Sequence, residues 1–160
     1  MGDMDDAWHL ERDIPLIGLL AEVKAAVAED LYDRLAEAGF ADLRPAHGCV
    51  FSTLDQQGAR LTVLADRSGL TKQAVGEAVA DLERLGYVER VPDPVDRRAK
   101  IIKLTERGVR ALAAAEQILA DIERRFAAEV GEKRFADFRE TLRQLFLLTH
   151  APAGTRARAA

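Results

Sequence analysis

Only one cysteine, Cys49, occurs in the 160 residues, so no disulfide can form within the chain, and a reducing compartment suits it. No run approaches the roughly 20 apolar residues that a bilayer-spanning helix needs, which argues against a membrane protein. The acidic beginning, MGDMDDAWHLERD, has no basic segment followed by an apolar core and does not resemble a secretory signal. The expected location is the cytoplasm. Catalytic signatures are equally scarce: there is no GxSxG, no glycine-rich phosphate loop after a strand, and no histidine and carboxylate tied to a nucleophile. An enzyme is therefore not expected. His9, His47, Cys49 and His150 are scattered, with no i, i+4 pair of ligands, so neither a metal nor a cofactor is expected.

An overall positive charge is lacking too, since the formal net charge is -4. Its distribution changes the meaning of that number. Residues 1–59 hold 4 Lys/Arg against 12 Asp/Glu, residues 60–110 hold 11 against 8, and residues 111–160 hold 8 against 7. The central third alone is clearly basic. Charges farther apart than about 8 Å are largely screened at physiological salt, so a local basic edge can meet a phosphate backbone despite acidic surroundings.

That central third is also the most patterned. Thr62 is a candidate cap for a short helix carrying Val63, Leu64 and Ala65, and Ser68-Gly69 breaks it with a residue suited to a left-handed turn. Thr71 caps a second helix, in which Val75, Ala78, Val79, Leu82 and Leu85 form one apolar stripe and Gly86 ends the run. The opposite face carries Lys72, Gln73, Gly76, Glu77, Ala80, Asp81 and Arg84, with no long aliphatic side chain. Next, 87–91 and 100–104 are rich in strand formers. The loop between them holds Pro92 and Pro94, which should keep it out of the ladder. From Arg97 to Lys103 there are four basic residues and no acidic one.

This order, helix, turn, helix and arginine-rich hairpin, resembles the MarR family of winged-helix transcriptional regulators. The wing of that family reads DPxDRRAK and runs into LTxxG. Here those positions are Asp93-Pro94-Val95-Asp96-Arg97-Arg98-Ala99-Lys100 and Leu104-Thr105-Glu106-Arg107-Gly108, and the likeness continues upstream through 82–88 and Leu64-Ala65. With the flanking helices it covers most of residues 10–150. The implied fold is mainly α with a small β-hairpin wing (α+β), a winged helix-turn-helix with terminal dimerisation helices.

Helical spacing supports the flanks. Residues 10–38 place Leu16, Leu20, Val23, Val27, Leu31 and Leu35 on one face, with Pro15 in the first turn and Gly39 at the end. Pro45 opens another helix expected to reach about Gln57, and Gly58 begins a segment that could pair with the wing. Thr105 caps a helix interrupted at Gly131, and a last helix follows with Phe135, Phe138, Leu142, Leu145 and Phe146 at spacings of three and four. The expectation is one domain over 1–160, with dimerisation helices at 10–38 and 105–150, a winged helix at 45–104 and a mobile tail at 151–160.

The resemblance implies a homodimer that binds double-stranded DNA at a near-palindromic operator, with helix 71–86 in the major groove and wing 91–100 at the minor groove. Candidate contacts are Thr71 with phosphate, Lys72 with phosphate or a guanine, Gln73 with adenine, and Glu77 with a cytosine amino group. Gly76 is read either as a site of close backbone approach to DNA or as a tolerated surface glycine. Many relatives carry arginine near Glu77, so the reading face departs from the family there; Glu77 could also be solvated or hold Arg84 or Lys72. In the wing, the resemblance gives Asp96 the task of bracing an arginine, Arg98 the minor groove, and Arg97 and Lys100 the phosphates. It also implies a ligand-responsive repressor that releases DNA on meeting a small aromatic or lipophilic effector. Trp8, Tyr32, His47, Cys49 and Phe51 are candidates to line that pocket, although aromatic residues there also serve as plain core. Two other functions stay open: a winged-helix protein-interaction module, which would not need the Arg97, Arg98, Lys100 cluster, and a thiol-based redox sensor through Cys49, which would need an exposed, activated thiol.

Overall fold

The computed structural model describes residues 14–55 and 57–150. Trp8, His9, residues 10–13 of the expected first helix, and the tail 151–160 lie outside the described residues. The fold is mainly helical with one antiparallel hairpin. The chain gathers into two compact units, the division falling between Ile118 and Leu119.

In the first unit, α1 spans Leu16–Leu35 with Pro15 before its first residue. A wider helical turn, Ala36–Phe40, follows, and Gly39 stops it by taking φ 93°, a left-handed value that a side chain would resist. A 3-10 turn at Pro45–His47 leads into the four-residue α2, Gly48–Phe51. The expected helix from Pro45 to about Gln57 is thus cut short. Side chains take over the carbonyls that would have propagated it: Thr53 Oγ1 donates to the Cys49 carbonyl at 2.6 Å, and Arg67 Nη1 donates to the Thr53 carbonyl at 2.8 Å.

Helix α3 spans Leu61–Ser68 and α4 spans Lys72–Arg84. The first starts one residue before the expected Thr62 cap, because Arg60 is extended and sends its side chain elsewhere. Gly69 turns the chain at φ 68°. Thr71 then caps α4 as expected, its hydroxyl accepting from the Ala74 amide at 3.2 Å. Val75, Ala78, Val79 and Leu82 are buried, so the apolar stripe read from spacing is the face that α4 packs against α2, α3 and the hairpin.

The hairpin pairs β1, Val88–Pro92, with β2, Lys100–Leu104, in the register Val88 to Leu104 and Pro92 to Lys100. Pro92 therefore belongs to the ladder, contrary to expectation. It is the last residue of β1, where a missing N–H is tolerated. Ala59 forms a third, single-residue bridge to Ile102, and so the segment after Gly58 does meet the wing. Thr105 begins α5, Glu106–Val130, by accepting from the Gly108 amide at 3.1 Å. Gly108 is required by space: a Cβ there would lie 2.0 Å from the Tyr87 carbonyl oxygen.

The unit after Ile118 holds the rest of α5, Gly131 at φ 96°, and α6, Glu132–His150. Phe126 and Phe135 meet across that turn with ring centroids 6.4 Å apart. Much of the apolar surface of α6 is uncovered, including Phe138, Phe146 and Leu148. The start of α1 is similar, with Ile17 76% exposed. Among the described residues no helix is long and apolar enough to cross a membrane.

Candidate nucleic-acid interface

Two neighbouring features of the first unit offer a surface suited to nucleic acid: the outer face of α4 and the tip of the hairpin. On α4, Thr71, Lys72, Gln73 and Glu77 are exposed and Gly76 is half-buried. Gln73 and Glu77 are not independent, because Gln73 Nε2 donates to Glu77 Oε1 at 3.1 Å. Glu77 thus holds neither Arg84 nor Lys72. A Cβ on Gly76 would find Leu61 Cδ2 at 3.7 Å, an ordinary contact, so internal packing does not demand a glycine.

Asp81 lies on the same helix but turns inward to a network that fixes α4. It pairs with Arg84 and with Arg44, and Nε2 of His47 lies 2.9 Å from its Oδ2. Arg84 first, then His47, hold its carboxyl well below the usual carboxylate range. His47 is buried, and its Nδ1 accepts from the Arg44 amide at 3.1 Å. An accepting Nδ1 assigns the proton of the neutral ring to Nε2, which donates to Asp81. Both ring nitrogens of His47 are therefore occupied within the protein.

In the hairpin, Arg97, Arg98 and Lys100 are exposed, and among the described residues no carboxylate pairs with them. Asp96 Oδ1 accepts from the backbone amide of Arg98 at 3.1 Å, while its Oδ2 is 3.9 Å from Arg60. Asp93 makes the shorter pair. Arg60 Nη2 is 2.7 Å from Asp93 Oδ2, and Asp93 Oδ1 accepts from the amides of Val95 and Asp96. Sequence reading missed both Arg60 and Asp93 as wing supports, because 33 positions separate them and no local spacing marks the pair.

The other candidates scatter. Tyr32 and Cys49 come close around Gly48, where a Cβ would lie 3.3 Å from the Tyr32 hydroxyl. Burial raises the pKa of Tyr32, with a smaller contribution from Cys49. Cys49 is half-buried, donates to the Ala46 carbonyl at 3.2 Å, and is also raised by burial, so its reactive thiolate is disfavoured. Phe51 meets the Tyr87 ring edge-on at 6.2 Å, as core aromatics do. Among the described residues no cluster of three or more His, Cys, Asp or Glu is placed to hold a metal ion.

Known proteins share this arrangement. The MarR family profile matches residues 33–99, from the end of α1 to the wing. The transcriptional regulator HosA of Escherichia coli is 26% identical over 102 residues, 64% of this chain and 76% of HosA. Among solved structures, MarR is 26% identical with a TM-score of 0.71 over 84% of this chain and 90% of that one. The transcriptional repressor CouR bound to a 23-mer DNA duplex is 26% identical with a TM-score of 0.67 over 82% and 92%. CouR from Rhodococcus jostii RHA1 has also been solved bound to p-coumaroyl-CoA, with 27% identity and a TM-score of 0.63 over 79% and 88%.

Proposed function

We propose that the chain is a member of the MarR family of winged-helix transcriptional regulators and that it is a cytoplasmic, ligand-responsive repressor acting as a homodimer on double-stranded DNA. Helix α4 enters the major groove of each half-site and the wing, 91–100, lies at the minor groove. The observation that carries this reading is the unpaired cluster Arg97, Arg98 and Lys100 at the tip of a hairpin braced from Arg60. A narrow minor groove concentrates negative potential and attracts a guanidinium, while cations on phosphates supply affinity that falls with salt. Thr71, capping α4, sets its first amides and Lys72 toward a phosphate. A protein-interaction module would not need this unpaired cationic tip and should show no salt-dependent affinity for DNA.

The dimer is supported by the uncovered apolar surfaces of α1 and α6, in line with dimerisation through 10–38 and 105–150 around a DNA-binding region at 45–104. An effector of small aromatic or lipophilic character is supported by CouR, whose ligand is an aromatic acyl thioester. Among the described residues, Tyr32 and Cys49 at Gly48 are the candidate contacts left, since His47 and Phe51 are engaged by Asp81 and Tyr87.

Selection of bound duplexes from a random pool tests the reading. The expected result is a near-palindrome with half-sites about one helical turn, roughly 10 base pairs, apart. No enrichment would contradict DNA reading, and a lone half-site would contradict the dimer.

A further inference from the structure

Gln73 and Glu77 stand one turn apart on the exposed face of α4, with Gln73 Nε2 donating to Glu77 Oε1 at 3.1 Å. An ionised carboxylate only accepts, so this bond fixes the amide: its NH2 faces Glu77, and the carbonyl Oε1 cannot take that place. Among the described residues no cation pairs with Glu77, and the nearby Arg84 is taken by Asp81. One amide hydrogen is thus committed to Glu77. Oε1 and the second hydrogen remain, an acceptor and a donor on the same amide.

Those are the two groups with which a glutamine reads adenine, Oε1 accepting from N6 and the amide donating to N7. Cytosine and thymine would each use only one of them. A glutamine whose amide turns freely about its last torsion offers a second pattern, in which NH2 points outward and suits the O6 and N7 acceptors of guanine. Glu77 opposes that pattern, because turning the amide over would set Oε1 against a carboxylate oxygen that has no hydrogen to donate. We infer that Glu77 is a positioning residue: acting through Gln73, it holds the amide as an adenine reader in each half-site and so refuses guanine. This rests on α4 occupying the major groove, as proposed above.

The test is selection from a random duplex pool with the full chain and with Gln73→Ala, which locates the base pair that depends on Gln73. Duplexes carrying each base at that position are then titrated with the wild type, Glu77→Ala, Glu77→Gln and the Gln73→Ala, Glu77→Ala double variant, each checked for folding by a thermal melt. The wild type is expected to prefer adenine there and to lose roughly ten-fold in affinity for guanine. In Glu77→Ala the preference for adenine over guanine should fall several-fold, while Glu77→Gln, whose carbonyl still accepts from Gln73, should keep most of it. Without Gln73, removing Glu77 should change nothing at that position. The inference is overturned, while DNA reading stands, if no base depends on Gln73, if Glu77→Ala discriminates as the wild type does, or if Glu77→Gln is as permissive as Glu77→Ala. An effect of Glu77→Ala that persists without Gln73 would also overturn it, since Glu77 would then act on a base directly. If the wild type enriches no sequence, the DNA-reading premise falls, and the inference with it.

Discussion

The Nε of Arg60 donates to Oδ2 of Asp93 at 2.7 Å, joining the residue before α3 to the start of the wing loop. Asp93 is buried, and its other oxygen accepts from the amides of Val95 and Asp96. One carboxylate thus shapes the loop and ties it to the body. Arg97 and Arg98 stand on a turn whose backbone is already set, which lowers the ordering cost of binding.

Arg60→Ala should weaken operator binding several-fold without changing its salt dependence, since Arg60 is committed to Asp93 and not to phosphate. Fluorescence anisotropy at several salt concentrations measures both. The Asp93 carboxyl is held below its ordinary 3.8, chiefly by the Val95 amide and then by Arg60. A lowered carboxylate contributes stability that is present above 3.8 and lost as pH falls through the folded value. Asp93→Asn should therefore flatten part of the acid limb of a stability profile.

Two glycines should respond oppositely to alanine. Gly108→Ala forces a Cβ against the Tyr87 carbonyl oxygen, 2.0 Å away, and should destabilise the fold by at least the roughly 1–3 kcal/mol typical of overpacking. Gly76→Ala meets only Leu61 Cδ2 at 3.7 Å and should stabilise α4 by about 0.5–1 kcal/mol. Urea denaturation of each variant checks the signs. A Gly76→Ala protein that is more stable yet binds DNA worse would identify close backbone approach as the reason for glycine.

Tyr87 gives the alkaline limb. Its ring is fully buried among Phe40, Phe51 and Arg107, and its hydroxyl donates to Asp42, which Arg107 also holds at 2.8 Å. Burial, and then the Asp42 carboxylate, push the phenol up from 10.0 to about 12. A raised pKa means stability present below 10.0 that is lost as pH rises through about 12. Tyr87→Phe should remove that loss between pH 10 and 12, as followed by denaturant midpoints across the range. An unchanged alkaline slope in the variant would count against it.

What sequence revealed and what it hid divide by distance along the chain. Thr71 as a cap, Gly69 as the turn, the buried stripe of α4 and the pairing of 100–104 were legible, because capping, left-handed turns and periodicity are local signals. The supports of the site were not. His47 to Asp81, Arg60 to Asp93, and Tyr87 and Arg107 to Asp42 each join residues more than thirty positions apart. Single charged residues carry no mark of their distant partners. The early end of α2 escaped for a related reason: it depends on Arg67, from another helix, capturing the Thr53 carbonyl.

The central claim, that the exposed cations of the wing meet the phosphate backbone, is tested most directly by salt dependence. Operator affinity is measured from low to moderate salt for the wild type and for the combined Arg97→Ala, Arg98→Ala and Lys100→Ala variant. Each lost phosphate contact reduces the slope of log affinity against log salt by about 0.9, so the variant should bind more weakly with a slope shallower by about 2 to 3. Equal slopes and equal affinities would contradict a wing that binds DNA.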